Sequence, residues 1–157
     1  AAVLRGRFPD LRVCIVGDGH RREPLRAQAE ALGLSGQVLF AGTVTDVRAW
    51  LQAFDVFVLP SHSEGMSRSL LEAMAAGRAA VATAVGDAPG LLDASCLVPA
   101  GDVAGLAEVV TRLLVDGEER QRQQDRNRCV AANHDLRTMA AHVSRLYESY
   151  SQRRKPA

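Results

Sequence analysis

The sequence predicts an α/β fold, a Rossmann-like open parallel sheet with helices on both faces. Three observations predict it. Short apolar or β-branched runs recur at residues 11–16, 38–41, 56–59, 79–85 and 96–98. These runs show little apolar–polar alternation, as expected of strands covered on both faces. Stretches with helical spacing and caps lie between them, and that alternation indicates a parallel sheet.

The elements follow in order. The first ten residues, up to Phe8-Pro9-Asp10, read as the tail of a helix and a turn. Residues 11–16 form the first strand, and Gly17-Asp18-Gly19 breaks it. A helix follows with Pro24 tolerated in its first turn, Leu25, Ala29 and Leu32 at helical spacing, and Gly33 at its end. After the strand at 38–41, Thr45 or Asp46 can cap a short helix carrying Val47, Trp50, Leu51 and Phe54 at i, i+3, i+4, i+7. The strands at 56–59 and 79–85 flank the next helix, and residues 88–93 can hold a helical turn or two. Asp102 caps a helix with Leu106, Val109, Val110, Leu113 and Leu114. A polar helix spans about 118–131, and a last one carries Leu136, Met139, Val143, Leu146 and Tyr150. Residues 151–157 are a basic, frayed tail.

The functional signal lies in residues 60–77. Pro60 ends a strand, because it cannot donate to a ladder. A polar loop follows, and Ser67 can cap a helix with Leu70, Leu71 and Met74 as its apolar stripe and Gly77 as its stop. The amides of Arg68, Ser69 and Leu70 then point out of the helix start, where unpaired donors and the positive dipole end suit a phosphate. Glu64 lies in the loop and Glu72 within the helix, so the two carboxylates can flank that phosphate. Carboxylates accept from hydroxyls. Hydroxyls on both sides of a diphosphate describe a nucleotide sugar.

Glu64-Gly65-Met66-Ser67 followed by Leu71-Glu72-Ala73-Met74-Ala75-Ala76-Gly77 resembles the E-x7-E motif of the group 1 family of GT-B glycosyltransferases. The resemblance implies that Glu64 lies near the transferred sugar, as the catalytic residue, and that Glu72 holds the ribose. Gly65, Met66, Ser67, Arg68, Ser69 and Leu70 then belong to the substrate-binding stretch. Gly17 and Gly19 match the family's loop after its second strand, and Val44 lies in the loop that passes near the base. A dinucleotide reading of Gly17-Asp18-Gly19 is poor, because a third glycine would fall at Arg22 and no acidic residue ends the next strand. A tight strand-to-helix turn and a donor contact both remain open there. Arg68 can pair with phosphate or be a solvated first-turn residue, and His62 reads as a loop polar residue.

Three departures from the family pattern affect the loop after the strand at 79–85. Thr83 and Gly86-Asp87 resemble T-x-x-G-G, with Asp87 at the second glycine; Gly90 stands where an acid is usual; Ala79 stands where a Pro is usual.

The resemblance covers one half of a GT-B enzyme, the donor-binding second domain, over residues 1–157. The family's opening strand, with its following Arg and Lys, has no match before Leu11. A gap, or direct pairing, is therefore expected between the strands at 13–16 and 56–59, since the missing strand would be central. The acceptor domain is the implied partner.

Composition limits the other classes. A net charge of +1 gives no case for nucleic acid. Cys14, Cys96 and Cys129 are odd in number and have no metal spacing; Cys14 and Cys96 read as buried thiols, which favours a reducing compartment. No run approaches a membrane span. The expected location is cytoplasmic, with peripheral contact to the inner face of the membrane open to a full-length form.

The reading is transfer of a sugar from a UDP- or GDP-sugar, retaining, with neither metal nor cofactor and with the isolated chain inactive. The alternative is a non-catalytic nucleotide-sugar-binding subunit that needs an acceptor-domain partner. A Rossmann-like interaction domain without ligand is a third reading, which leaves the convergence of two carboxylates and a capped helix unexplained.

Overall fold

A computed structural model of the chain describes residues 1–134, 144, 145 and 147. The helix expected through Leu136, Met139, Val143, Leu146 and Tyr150, and the tail at 151–157, lie outside the described residues. Strands β1 (Val13–Val16), β2 (Val38–Gly42), β3 (Val56–Leu59), β4 (Ala79–Thr83) and β5 (Leu97–Val98) alternate with helices. The helices are α1 (Arg22–Ala31), α2 (Val47–Ala53), α3 (Arg68–Ala75), α4 (Ala88–Leu91), α5 (Val103–Val115) and α6 (Gly117–Ala132).

Caps fix most helix starts. Asp46 accepts from Ala49 N–H and Asp102 from Gly105 N–H, so Asp46 and not Thr45 starts α2. Asp116 ends α5 and caps α6 at once. Gly33 and Gly77 end α1 and α3 with φ of 67° and 72°, a region open to glycine.

Three strands are shorter than their apolar runs. Leu11 N–H donates to Phe8 C=O, so a turn delays β1 to Val13. Val85 N–H donates to Thr83 C=O, which ends β4 two residues early. Cys96 falls in a 3₁₀ turn, Ala94–Cys96, because Asp93 draws in Ser95 N–H and Cys96 N–H donates to Asp93 C=O.

All strand pairs in the ladders are parallel, but the strands form two sheets. One is β1-β2 and the other β3-β4-β5. β1 and β3 do not pair with each other, so of the two arrangements expected the gap is the one found. It leaves β3 at an edge. Its residues are half-buried or exposed, with Val58 37% exposed, which corrects the expectation of a strand covered on both faces. Cys14 is likewise only half-buried, whereas Cys96 is fully buried.

The core centres on β4, whose five residues are all buried. Val81 packs toward Leu4 on the opening turn and Val110 of α5. Ala80 and Ala82 share a second cluster with Leu70 and Met74 of α3, Leu91 of α4 and Leu113 of α5. Helices therefore cover both faces of this sheet. Burying a side chain such as Leu70 or Leu113 contributes roughly 1.5–3 kcal/mol.

Arginines close several helix ends. Arg5 donates to Leu32 and Gly33 C=O beyond α1, Arg78 to Gln52 and Phe54 C=O at the end of α2, Arg126 to Leu91 C=O of α4, and Arg120 to Leu113 and Leu114 C=O of α5. Each satisfies carbonyls that the helix leaves without partners, at the negative end of its dipole. Arg78 C=O in turn accepts from the buried Asn127 of α6, which ties α2, β4 and α6 together.

Candidate functional site

The loops that follow β1 and β2 meet at one rim of the sheets, and α3, which comes after β3, borders the same rim. Gly17 N–H donates to Gly42 C=O over 2.8 Å, joining the first two loops directly. Both glycines have positive φ, 113° and 69°. Beside them opens a cleft of about 270 Å³. Val16, Gly17, Thr43 and Val44 line it from the ends of β1 and β2; Val47, Trp50, Leu51 and Phe54 from α2; Phe57 from β3; Ser69 and Glu72 from α3. Its walls are mostly apolar, with Glu72 as the one carboxylate.

The sequence of α3 explains why Glu72 points there. Leu70, Ala73 and Met74 are buried and set the inward face. Ser69 and Glu72, three residues apart, share the other face. Among the described residues, neither Glu72 nor Arg68 has a side-chain hydrogen bond or ion pair, and both are exposed. Their charges are therefore free to meet a ligand.

The loop carrying Glu64 is held from below. Glu64 Oε1 accepts from Ser61 Oγ at 2.7 Å, and Ser61 C=O accepts from Thr83 Oγ1 at 2.6 Å. Gly86, with φ of 58°, presses on the loop: a Cβ there would lie 2.6 Å from Glu64 C=O and 2.7 Å from Gly65 C=O. Asp87 N–H donates to Gly65 C=O, and Ser67 N–H donates to the Asp87 carboxylate, 3.2 Å from each oxygen. The Asp87 substitution thus fastens this turn to the loop above it.

Ser67 caps α3 as expected, its Oγ accepting from Leu70 N–H at 3.4 Å. That bond uses one of the three amides expected to be free. The helix start therefore offers Arg68 and Ser69 N–H, and Leu70 contributes a fully buried side chain instead.

Of the residues the sequence singles out, Gly17, Val44, Ser69 and Glu72 come together in the cleft. Glu64, Gly65, Met66 and Ser67 form the adjoining loop, with Met66 60% exposed. Gly19 lies outside the cleft walls; its N–H and the Arg22 guanidinium, 2.9 Å away, hold the Asp18 carboxyl below the usual carboxylate range. Trp50, Phe54 and Phe57 are wall residues that sequence reasoning assigned to a helix stripe or a strand alone. The signal was available for Trp50, since a lone tryptophan on a short amphipathic helix can face a cleft as readily as a core.

Among the described residues, no group of three His, Cys, Asp or Glu side chains could hold a metal ion, and no helix is long and apolar enough to cross a membrane.

An α/β domain with a cleft at the carboxyl rim of parallel strands and a capped helix start beside it is of the Rossmann-like class, in which ligands bind at that rim. The profile described as Glycosyl transferases group 1 matches residues 1–116, and the chain belongs to that family of GT-B glycosyltransferases. The match begins ten residues before the motifs read from the sequence. The chain is 33% identical over 123 residues to the lipopolysaccharide core biosynthesis glycosyltransferase LpsE of Rhizobium meliloti, which is 76% of this chain and 36% of that protein. It thus spans about a third of that relative's length. The crystal structure of Anabaena HepE in complex with UDP superposes with a TM-score of 0.84 at 24% identity, covering 90% of this chain and 42% of that one. At that identity the likeness shows the fold. The C-terminal domain of the group 1 protein LpcC from Francisella tularensis superposes with a TM-score of 0.76 at 26% identity, covering 85% of this chain and 74% of that domain.

Proposed function

We propose that residues 1–157 are the donor-binding half of a retaining, metal-independent glycosyltransferase that uses a nucleoside-diphosphate sugar. The observation that carries this reading is the unpartnered Glu72 carboxylate on the cleft wall, one turn inside a capped helix start. Glu72 would take the ribose hydroxyls, and the apolar wall around Val44 and Trp50 the base. Arg68 and Ser69 N–H would stabilise charge on the departing diphosphate, as preorganised donors do. Glu64 would orient the transferred sugar. HepE was solved with UDP and with UDP-glucose, which supports a nucleotide-sugar donor here.

The reading includes a missing partner strand. β1 pairs only with β2, and β3 only with β4 among the strands described. A parallel strand between them would close one sheet in the order β2-β1-x-β3-β4-β5, with the inserted strand central. Basic residues after such a strand, and an acceptor domain, would complete the enzyme, for which a cytoplasmic setting is proposed. By itself the chain is then expected to bind donor weakly and transfer no sugar.

Calorimetric titration of the purified chain with UDP and GDP tests this. One nucleotide should bind to the wild type and fail to bind Glu72→Ala. A folded chain that binds neither, with or without a restored upstream segment, would refute the donor-site reading. Sugar transfer by the chain alone would refute its dependence on a second domain.

A further inference from the structure

Asp87 occupies the first position before α4, with helical dihedrals, yet its carboxylate makes no capping bond to that helix. It takes part in no ion pair among the described residues. Its carboxylate instead accepts from the N–H of Ser67, across the sheet rim and twenty residues back. Ser67 is 3% exposed, and its amide lies outside α3, where no intrahelical carbonyl can reach it. A buried donor in that position needs an acceptor. The backbone of Asp87 faces the same loop, donating to Gly65 C=O at 3.3 Å. Gly86 supplies the close approach that makes both bonds possible, since its Cα lies where a Cβ would strike the carbonyls of Glu64 and Gly65.

We propose that Asp87 is a positioning residue for the donor site, clamping the 64–67 loop so that Glu64 and the start of α3 keep a fixed spacing. The proposal rests on the donor-site reading of the cleft. The other holds on the loop lie before Gly65: Glu64 accepts from Ser61 Oγ, and Ser61 C=O accepts from Thr83 Oγ1, whereas Gly65 and Met66 are exposed. Asp87 grips it on both sides of Met66, by its amide at Gly65 and by its carboxylate at Ser67. A clamp of this kind acts through the geometry of Glu64 and the helix start, without touching the ligand.

The test uses the 157-residue chain and two readouts. Hydrogen exchange reports the clamp in the free protein, and UDP and GDP titration reports the site. In Asp87→Ala the Ser67 amide should exchange about tenfold faster, while the amides of β4 keep their protection as the control for folding. The dissociation constant for the nucleotide that binds should rise by about tenfold in the same variant. Asp87→Asn keeps an acceptor oxygen and should restore most of both. Unchanged Ser67 exchange in Asp87→Ala overturns the clamp. Faster exchange with unaltered nucleotide affinity, in a chain whose binding still depends on Glu72, overturns the positioning role and leaves the donor site standing. A wild-type chain that keeps Ser67 protected and binds neither nucleotide, with an upstream segment restored as well as without it, overturns the donor-site reading, and the positioning role with it.

Discussion

β1 and β4 make an instructive pair. Val13-Cys14-Ile15-Val16 is the more hydrophobic sequence, yet every residue of β1 is only half-buried. Ala79-Ala80-Val81-Ala82-Thr83 is the blander one, yet all five residues of β4 are buried. The difference is position. β4 is hydrogen-bonded on both edges and covered by helices on both faces, whereas among the described residues β1 pairs with β2 alone. Hydrophobicity makes a strand fit for a core; neighbours on both edges put it there. The side chains in the middle of a sheet can then be small, because close packing leaves no room for large ones.

Four experiments break or sharpen that contrast. The largest effect should come from Leu113→Ala, which empties a fully buried site in the three-stranded half and should cost about 2–5 kcal/mol in urea unfolding. Leu39→Ala on β2, 55% exposed, should stay within about 0.5 kcal/mol. Equal losses would show that both halves share one core. Next, Gly86→Ala combines positive φ with a backbone collision and should cost about 3 kcal/mol. Gly33→Ala meets only the side-chain end of Arg5 and no backbone, and should cost about 1 kcal/mol, read from the same unfolding curves. Smaller still, loss of a cap should be indifferent to the half it lies in. Ser67→Ala and Asp46→Ala should each cost about 1 kcal/mol by thermal melting.

The smallest effect is electrostatic. The Asp18 carboxyl in the two-stranded half is held low mainly by Gly19 N–H and Arg22, and that of Glu119 on α6 mainly by Gln123 and Arg122. A carboxyl depressed in the folded state adds stability that is full above its unfolded pKa. That stability is lost as pH falls through the lower folded value. Both Asp18→Asn and Glu119→Gln should therefore lower the unfolding midpoint slightly at pH 7 and leave it unchanged at strongly acid pH. A midpoint gap that widens in acid would reverse the sign.

The sequence made the order of elements legible, because caps and stops are local. Ser67, Asp102 and Gly77 act within a few residues, so their roles could be read without knowing the rest of the chain. Strand ends were less legible: the turns at Phe8 to Leu11 and Thr83 to Val85 are set by main-chain bonds that leave no mark on residue type. The E-x7-E stretch singled out α3 and the loop before it. It could not show that Glu72 lines the cleft while Glu64 lies on the adjoining loop, because that depends on how α3 faces α2 and β3. Asp87 was visible only as a departure from a pattern. Its purpose needed the fold, since its partner lies twenty residues away.

The arginines at the helix ends carry a chemical consequence. Of the nineteen basic residues in the sequence, Lys155 is the only lysine. Arg5, Arg78, Arg120 and Arg126 all grip main-chain carbonyls, three of them through two oxygens at once. In each of those three a single nitrogen, Nη1, donates to both oxygens from the rigid guanidinium plane. Amine-directed labels and cross-linkers will therefore pass these contacts by, whereas a dicarbonyl that condenses with guanidinium will find them. For this chain, arginine chemistry is the reagent class that reports on the architecture.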